Sequence, residues 1–427
     1  MEGNALTIDA QADLLLRGTF FADEDEGSPA TDETSLRQQM RAELVAKLRK
    51  GRPLRVYLGV DPTATSLHIG HLVPALKLRQ FQALGHQAIF LIGDYTGLIG
   101  DPSGQTKERP QLTGEELEEM SRGYTEQVFR VLDEAATEVR RNSEWLGKMG
   151  FADIIRLASL FPLKQIIARR EFQERMEAGK PLRFHETLYP LMQGYDAFAL
   201  DCDVQVGGYD QHFNLLAGRA IQQGRGQEPH VMITLPLLAG TDGRKMSKSY
   251  GNSVNIQDTP RDMFGKLMRI SDEQILPYLD LACMLMDTHC NQQLRHAYEE
   301  SAKNPIEIKE EIAHHVVSQY HGPEVGDAER AWFESHIRQK KLPDDIPEIE
   351  VSDALLAEDA QWAGLLVALG LLSSKGEVRR LIKGGGFRVA GEQVQDPFAS
   401  YDGADDTLVQ YGKRRFATLR RPKGGGL

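Results

Sequence analysis

Two apolar runs separated by one helical segment dominate the first third of the chain. LRVYLGV (54–60) and QAIFLIGD (87–94) are short and nearly free of charge, which is typical of strands buried on both faces of a sheet. Between them, LVPALKLRQFQAL (72–84) carries apolar residues at helical spacing. Strand, helix and strand with short joins form a right-handed βαβ unit. The order predicts an α/β fold with a doubly wound, Rossmann-like parallel sheet.

The pattern changes several times after this unit. A capping box at Thr113–Glu116 opens a segment whose helical periodicity continues to about Gly179. Strands resume at DVQVGGYDQ (203–211) and HVMITLPLL (230–238), and only helical patterns follow Asn255. The proline-rich, charged segment KKLPDDIPEIE (340–350) is typical of a linker.

A small unit follows the predicted linker. Ser374 and Glu377 cap a basic helix, the glycines at 384–386 end it, and FRVAGEQV (387–394) alternates like a hairpin. The predicted organisation is an N-terminal helical arm (1–52), a Rossmann-like domain (53–254) with a helical insertion at about 113–180, an α-helical domain (255–345) and a small α+β module (350–427).

Composition and the start of the chain limit the cellular compartment and the kinds of partner to be expected. The start of the chain lacks a secretion pattern and no apolar run is long enough to span a membrane, so we expect a cytoplasmic protein without membrane contact. Three scattered cysteines predict neither a disulfide framework nor a structural metal site. The net charge of −12 argues against a general nucleic-acid coat protein. However, residues 351–427 hold 11 Lys+Arg against 9 Asp+Glu, which suits one specific RNA contact.

His68-Ile69-Gly70-His71 stands between the first strand and the helix that follows it. A doubly wound sheet binds ligands there, beside a helix N-terminus. Gly70 would let a nucleotide base pack on the backbone, and two imidazoles can donate to phosphate oxygens. The alternatives are two surface histidines or a pair near a metal ion.

A second signature, Lys245-Met-Ser-Lys248-Ser, follows the last predicted strand. Two ammonium groups on a polar loop are mobile charges suited to pyrophosphate, although a solvated basic loop is the simpler interpretation. The simpler interpretation is disfavoured because both signatures occur in one chain, each directly after a predicted strand of the same sheet.

With these signatures the chain resembles a class I aminoacyl-tRNA synthetase, and four stretches resemble the tyrosyl family in its larger, KMSKS-bearing bacterial subgroup. They are YLGVDPTATSLHIGH (57–71), TGLIGDPSG (96–104), YPLMQGYD (189–196) and QVGGYDQ (205–211). The final unit resembles the αL RNA-binding module found in a small-subunit ribosomal protein and in pseudouridine synthases. The resemblance covers about residues 36–260 and the last unit.

The resemblance implies a role for each matching residue. Residues that would bind tyrosine are Tyr57, Thr96, Asp101, Tyr189, Gln193, Asp196 and Gln211, with Tyr57 and Asp196 on the phenol and Asp101, Tyr189 and Gln193 on the ammonium. Residues that would bind ATP are Gly59, Asp61, Thr63, Gly70, Gly208, Asp210 and Lys248, and the catalytic set is His68, His71, Lys245 and Lys248. The charge pattern predicts that Lys375, Arg379, Arg380, Lys383 and Arg388 contact tRNA phosphates, although a solvated helix face would show the same pattern. The helical domain would also contact tRNA.

The residue types agree with these roles. Tyr189, Gln193 and Asp196 share one helix face by spacing, and Asp101 lies in a Gly-Asp-Pro-Ser-Gly turn, although a solvated face and an ordinary turn would show the same pattern. Gln105 stands where many relatives carry lysine, which puts a charged pyrophosphate contact in doubt unless Arg109 compensates. His212-Phe213 replaces the family's Trp-Gly.

The implied function is activation of L-tyrosine with ATP and Mg²⁺, then transfer of tyrosine to tRNA(Tyr), by a homodimer without a protein-bound structural metal. Three alternatives remain. Tryptophanyl synthetases share the architecture, but indole has no phenol hydroxyl to pair with Tyr57 and Asp196. Nucleotidylyltransferases share an H-x-G-H signature but need neither KMSKS nor the RNA module. A synthetase-derived RNA-binding protein would not need the complete pocket.

Overall fold

The computed structural model describes residues 6–21, 35–62, 66–103, 114–338, 346–404, 406–412 and 415–421. These residues form two compact units, Met1–Arg330 and Ala331–Leu427. The division falls ahead of the predicted linker, between Arg330 and Ala331.

A five-stranded parallel sheet is the centre of the first unit. Its strands are β1 (Arg55–Val60), β2 (Gln87–Ile92), β3 (Thr137–Arg141), β4 (Val204–Gly208) and β5 (Val231–Leu235), in the order β3-β2-β1-β4-β5. The connections run outward from β1 in both directions, which is the doubly wound arrangement. β2, β4 and β5 are almost wholly buried, as their continuous apolar sequences predict.

Helices cover this sheet and continue beyond it. They are α1 (Ile8–Leu16), α2 (Leu36–Leu48), α3 (Ile69–Ala83), α4 (Gly114–Val128), α5 (Ser143–Leu146), α6 (Phe151–Ala158), α7 (Leu163–Ile167), α8 (Arg170–Glu177), α9 (Tyr189–Ala199), α10 (His212–Gly224), α11 (Pro260–Leu267), α12 (Ile275–Leu281), α13 (Thr288–Glu299), α14 (Pro305–His321) and α15 (Pro323–Phe333). The helical pattern predicted after Asn255 is therefore present, and Thr113 of the predicted capping box lies outside the described residues.

The predicted insertion is not wholly helical, because β3 lies within it. Each residue of β3 pairs with β2, from Thr137 opposite Ala88 to Arg141 opposite Ile92. β3 is an edge strand, so only one side is hydrogen-bonded and its side chains stay partly exposed. A strand of this kind needs little apolar sequence, which is why TEVRR gives no strand signal.

The N-terminal arm is attached to the sheet domain through a buried lysine. Lys77 of α3 is fully buried and its ammonium donates to the carbonyls of Leu15 (3.0 Å) and Arg17 (2.9 Å) and to Gln80 Oε1 (2.8 Å). Burial lowers the pKa of Lys77 to about 7. Phe20 N also donates to Thr234 O on β5 (2.9 Å). The arm thus supplies backbone acceptors that a charge inside the core requires.

The second unit contains its own five-stranded sheet, ordered β6-β10-β9-β7-β8. Its elements are β6 (Glu348–Glu350), α16 (Asp353–Glu358), α17 (Trp362–Ala368), α18 (Lys375–Lys383), β7 (Phe387–Val389), β8 (Glu392–Gln393), β9 (Thr407–Tyr411) and β10 (Phe416–Arg420). β7 and β8 form the predicted antiparallel hairpin. The linker prediction is wrong for 348–350: these residues form β6, because pairing with β10 stabilises a short polar strand that has no local signal.

Candidate active site

The crevice beside β1 lies at the point where the strand order reverses, and the predicted residues gather at the carboxyl ends of the strands around it. Asp61 follows β1, Thr96 begins a 3-10 turn after β2, and Gly208 ends β4. His68 stands at the N-terminus of α3. The topology therefore brings residues far apart in sequence to one edge of the sheet.

A buried polar pocket contains Tyr57 and Asp196. Tyr57 on β1 is fully buried, and among the described residues its hydroxyl has no hydrogen-bond partner. Asp196 on α9 accepts from Trp145 Nε1 (2.7 Å) and Asn142 Nδ2 (3.2 Å). Burial raises the pKa of Asp196, while the Trp145 and Asn142 hydrogen bonds oppose that shift. A buried, unpaired hydroxyl beside a carboxylate is a site for a ligand that can both donate and accept.

Asp61 connects this pocket to the neighbouring elements. It accepts from Thr96 Oγ1 (2.7 Å) and from Tyr189 Oη (2.8 Å), and Asn142 Nδ2 donates to Thr96 Oγ1 (2.9 Å). A Cβ at Gly93 would lie 2.1 Å from Asp61 Oδ1, so only glycine allows this approach. Asp61 thus joins Thr96 and Tyr189, which belong to different elements of the fold.

A second polar cluster surrounds Asp101. One carboxylate oxygen accepts from Ser103 N (2.8 Å), and the other accepts from Gln211 Nε2 (2.6 Å). The fully buried Asn214 donates to Gln211 Oε1 (2.9 Å) and to Gln193 Oε1 (2.9 Å). Carboxylate and amide oxygens therefore lie together in this cluster. An ammonium group only donates hydrogen bonds, so it requires acceptors of this kind.

The two signature histidines stack on each other at the start of α3. The ring centroids of His68 and His71 lie 3.6 Å apart, and His68 N donates to His71 Nδ1 (3.3 Å). Desolvation and then His71 lower the pKa of His68 to about 3, while desolvation and then Lys248 lower the pKa of His71 to about 4. Both rings are thus neutral at neutral pH, and each keeps one N–H to donate.

The lysine loop is fixed at its base and exposed at its ammonium groups. Met246 and Asn252 are both buried. Asn252 Oδ1 accepts a hydrogen bond from Ser247 N (2.9 Å), and Asn252 Nδ2 donates to Lys245 O (3.2 Å). Lys245 and Lys248 are exposed, and Lys248 begins a 3-10 turn. Both cations lie near enough to His71 to lower its pKa, so the two signatures lie close together in the fold.

The remaining predicted nucleotide-binding residues follow the same edge. Gly59 is exposed on β1, Gly70 is in the first turn of α3, and Asp210 follows Gly208 in the turn after β4. A Cβ at Gly208 would lie 2.4 Å from Asp210 Oδ1, so a larger residue there would displace the Asp210 carboxylate. Thr63, Gln105 and Arg109 lie outside the described residues.

In the second unit, the five predicted RNA-contacting cations lie on α18 and β7. Arg380, Lys383 and Arg388 are exposed, while the Arg379 guanidinium lies 5.0 Å from the ring centre of the exposed Phe398. Lys375 is already paired with Asp359 (Nζ to Oδ2, 2.7 Å). Four of the five cations therefore lack a carboxylate partner among the described residues.

Comparison with known proteins decides the family. A model of class I tRNA synthetases for tryptophan and tyrosine matches residues 49–336, and an S4 domain model matches residues 365–397. A tyrosine–tRNA ligase of Oleidesulfovibrio alaskensis is 45% identical over 97% of this chain and 99% of the relative. One from Thiobacillus denitrificans is 45% identical over 89% of this chain and 95% of the relative. The chain belongs to the tyrosyl-tRNA synthetase family.

Solved structures agree on the fold of the first unit. A C-terminally truncated mitochondrial tyrosyl-tRNA synthetase of Aspergillus nidulans matches with a TM-score of 0.59 and 21% identity, covering 79% of this chain and 95% of that one. The Archaeoglobus fulgidus enzyme, solved with L-tyrosine, matches with a TM-score of 0.57 and 20% identity, covering 76% and 100%. The family is one of ATP-using enzymes that activate tyrosine and charge tRNA with it.

Several residues of this synthetase site give no sequence signal. Asn142 and Trp145 hold Asp196, Asn214 holds Gln211 and Gln193, and Asn252 holds the lysine loop. Asn142 and Trp145 lie in a segment without a recognised motif, whereas Asn214 follows QVGGYDQ and Asn252 follows KMSKS by three positions each. A search for polar residues in otherwise apolar segments could have found Asn214, but Asn142 and Asn252 stand among polar residues and give no such signal.

Among the described residues, no group of three or more His, Cys, Asp or Glu side chains is placed to hold a metal ion. In the same part of the chain, no helix is long and apolar enough to cross a membrane.

Proposed function

We propose that this protein activates L-tyrosine with ATP and transfers the tyrosyl group to tRNA(Tyr). The observation that carries the choice of amino acid is the buried Tyr57 hydroxyl, unpaired among the described residues, near the Asp196 carboxylate. A substrate phenol can donate to Asp196 and accept from Tyr57, whereas an indole N–H only donates. Tryptophan would leave the Tyr57 hydroxyl buried without a partner, which is unfavourable.

The amino acid would then lie between the two polar clusters. Its phenol would contact Tyr57 and Asp196, and its ammonium would contact Asp101, Tyr189 and Gln193. Thr96, which is hydrogen-bonded to Asp61, and Gln211, which is bonded to Asp101, would complete the pocket. Support comes from the hydrogen bonds of Thr96 and Tyr189 to Asp61 and of Gln211 to Asp101, which fix these side chains.

In the activation step, a tyrosine carboxylate oxygen attacks the α-phosphorus of ATP, the bond to the β-phosphate oxygen breaks, and pyrophosphate leaves. Gly59, Asp61, Thr63, Gly70, Gly208 and Asp210 would line the adenylate, with His68 and His71 donating to phosphate oxygens. Lys245 and Lys248 would bind the pyrophosphate. Mg²⁺ would enter as part of the ATP complex, since phosphates supply most of its ligands.

In the second step, a ribose hydroxyl at the tRNA 3′ end attacks the carbonyl carbon and AMP leaves. No side chain forms a covalent intermediate in either step, so positioning and charge stabilisation supply the rate acceleration. Arg379, Arg380, Lys383 and Arg388, with a smaller contribution from the paired Lys375, would bind tRNA phosphates. The helical segment 255–345 would be a further tRNA-contacting domain beside the Rossmann-like domain (53–254).

The experiment that tests the function is amino-acid-dependent ATP–pyrophosphate exchange, run in parallel with tyrosine, tryptophan and phenylalanine. We expect exchange with tyrosine and far less with the other two. Exchange that is faster with tryptophan would overturn the choice of substrate. No exchange with any amino acid, together with retained RNA binding, would identify an inactive synthetase-derived protein.

A substitution at Tyr57 tests the phenol contact directly. Tyr57→Phe removes one hydroxyl that tyrosine uses and phenylalanine does not, so kcat/KM for tyrosine should fall about tenfold while that for phenylalanine changes little. The ratio of the two kcat/KM values is the measurement. Tyr124→Phe, another buried tyrosine, is the control and should leave that ratio unchanged. An unchanged ratio in Tyr57→Phe would remove Tyr57 from the phenol site.

We also propose that the protein is a cytoplasmic homodimer. Large apolar side chains are exposed in succession between β3 and α9: Phe151 is 79% exposed, Ile155 56%, Leu163 59% and Phe184 75%. Apolar residues at this density on a surface are typical of a protein interface. The proposed partner for this surface is a second copy of the chain, because the exposed residues belong to the first unit, which carries the proposed active site.

Charge placed on this surface should separate the subunits. Phe151→Asp combined with Phe184→Asp would bury two carboxylates at the interface, so light scattering should detect a monomer where the parental chain is a dimer. Phe398→Asp, an exposed phenylalanine of the second unit, is the matched control. A parental chain that is monomeric at micromolar concentration would contradict the proposal.

A further inference from the structure

Arg169, between α7 and α8, carries a buried guanidinium whose surroundings are unusual for a structural arginine. It is 7% exposed, and the rings of Phe172 and Phe213 lie 5.1 and 5.2 Å from its Cζ atom. Phe213 belongs to the His-Phe pair that departs from the family pattern. Among the described residues, no carboxylate forms an ion pair with Arg169, and its Nη1 has no hydrogen-bond partner.

Within the described part of the chain, the Arg169 guanidinium is hydrogen-bonded to the turn that carries Asp101. Arg169 Nη2 donates to Ser103 Oγ (2.7 Å), which also receives a longer bond from Asn214 Nδ2 (3.4 Å). Ser103 N in turn donates to Asp101 Oδ1 (2.8 Å). The Asp101 side chain is therefore oriented by a residue that Arg169 holds.

Charge gives a second connection between the same groups. Burial lowers the pKa of Arg169, and among its charged neighbours Asp101 opposes that shift most, with Asp210 also contributing. Burial, and then the Asp101 carboxylate, raise the pKa of Asp210, so two like charges lie close together here. A fixed cation beside them offsets the repulsion between the two carboxylates.

A buried cation without an ion pair destabilises the fold, so its retention needs a reason within the site. The nearby Arg175 shows the contrast: it is also buried but forms a bidentate pair with Glu186. Arg169 instead faces the turn that carries Asp101.

We propose that Arg169 is a positioning residue for the substrate's α-ammonium group. Its hydrogen bond holds Ser103, and Ser103 in turn fixes the orientation of the Asp101 carboxylate. It acts through Asp101 and does not contact the substrate. The two phenylalanine rings hold the planar guanidinium in one orientation, a task that a lysine could not perform. This inference rests on the proposed function, because it takes Asp101 as the ammonium contact.

Three ligands separate this role from the alternatives. L-Tyrosine has both an ammonium and a carboxylate, tyramine has only the ammonium, and 3-(4-hydroxyphenyl)propionate has only the carboxylate. Their dissociation constants would be measured by calorimetry, or by competition for the weak ligands, on the full-length parental chain and on Arg169→Met, without ATP.

For Arg169→Met we expect the affinities for tyrosine and tyramine to fall about tenfold, and the affinity for the propionate to change less than about twofold. Ser103→Ala, which keeps the backbone N–H but removes the clamped hydroxyl, should show the same selectivity with a smaller loss. Arg175→Met is the matched control: it should lower the melting temperature without changing the ratio of tyramine to propionate affinity.

Other outcomes contradict the inference in distinct ways. A selective loss of propionate binding would mean that Arg169 contacts the substrate carboxylate directly. An equal loss for all three ligands would assign Arg169 a structural role, and unchanged affinities would assign it none. If Arg169→Met does not fold, unchanged selectivity in Ser103→Ala overturns the proposal. A parental chain that binds neither tyrosine nor tyramine would instead overturn the proposed function.

Discussion

Replacing Lys248 with alanine is expected to slow tyrosyl-adenylate formation by about 100-fold or more, and Lys245→Ala should have a similar effect. Negative charge grows on the departing pyrophosphate as the reaction proceeds, so the ammonium groups would bind the transition state more tightly than bound ATP. Such a loss lowers the rate constant rather than the affinity for tyrosine. The dissociation constant for tyrosine should stay within about twofold of the parental value.

The conformation of the loop does not depend on the two lysine side chains, so the variants test the ammonium groups alone. Met246 and Asn252 hold the loop base, whereas both ammonium groups are exposed. Single-turnover adenylate formation gives the rate constant, and tyrosine titration gives the affinity. Arg244→Ala is the control within the same loop, since Arg244 is paired with Asp242. Adenylate formation near the parental rate in both lysine variants would mean that the loop does not act on pyrophosphate.

Removing the second unit should have an equally large effect on a different step. A chain that ends at Pro347, just before β6, is expected to keep tyrosine-dependent pyrophosphate exchange within about twofold, because the strands and helices of the proposed site lie in the first unit. Its KM for tRNA in aminoacylation should rise on the order of 100-fold, since several phosphate contacts are lost together.

Charge reversal tests the same contact without removing any structure. Arg379→Glu with Arg380→Glu should raise KM for tRNA and flatten its salt dependence by about one unit of slope per lost contact, because fewer counterions are released. Arg49→Glu with Lys148→Glu, two exposed cations of the first unit, is the matched control. A truncated enzyme that charges tRNA with unaltered KM would show that this unit does not bind the substrate tRNA.

The local sequence was informative wherever burial was uniform. β1, β2, β4 and β5 lie where the apolar runs predicted them, because each is largely buried and therefore apolar along most of its length, including β5 at the edge of the sheet. The edge strand β3 was missed and β6 was assigned to a linker, because each depends on a neighbouring strand rather than on its own residues. The family was recognisable from the two signatures and the glycine-containing turns, whose residue types are fixed by close backbone approach.

The residues of the site show the same division between what local sequence predicts and what tertiary contacts decide. The sequence determined which residues could bind a phenol, an ammonium and phosphates, since those roles follow from residue type at fixed spacing along strands, turns and one helix face. The tertiary structure decided how these residues are held: Tyr189 is bonded to Asp61, Asp196 to Trp145 and Asn142, and Asp101 to Ser103 and Gln211. The physical reason is that a buried hydrogen bond depends on which segments converge on the sheet edge. Partners such as Asn142 and Arg169 lie dozens of residues from the groups they hold, so no local pattern reveals them.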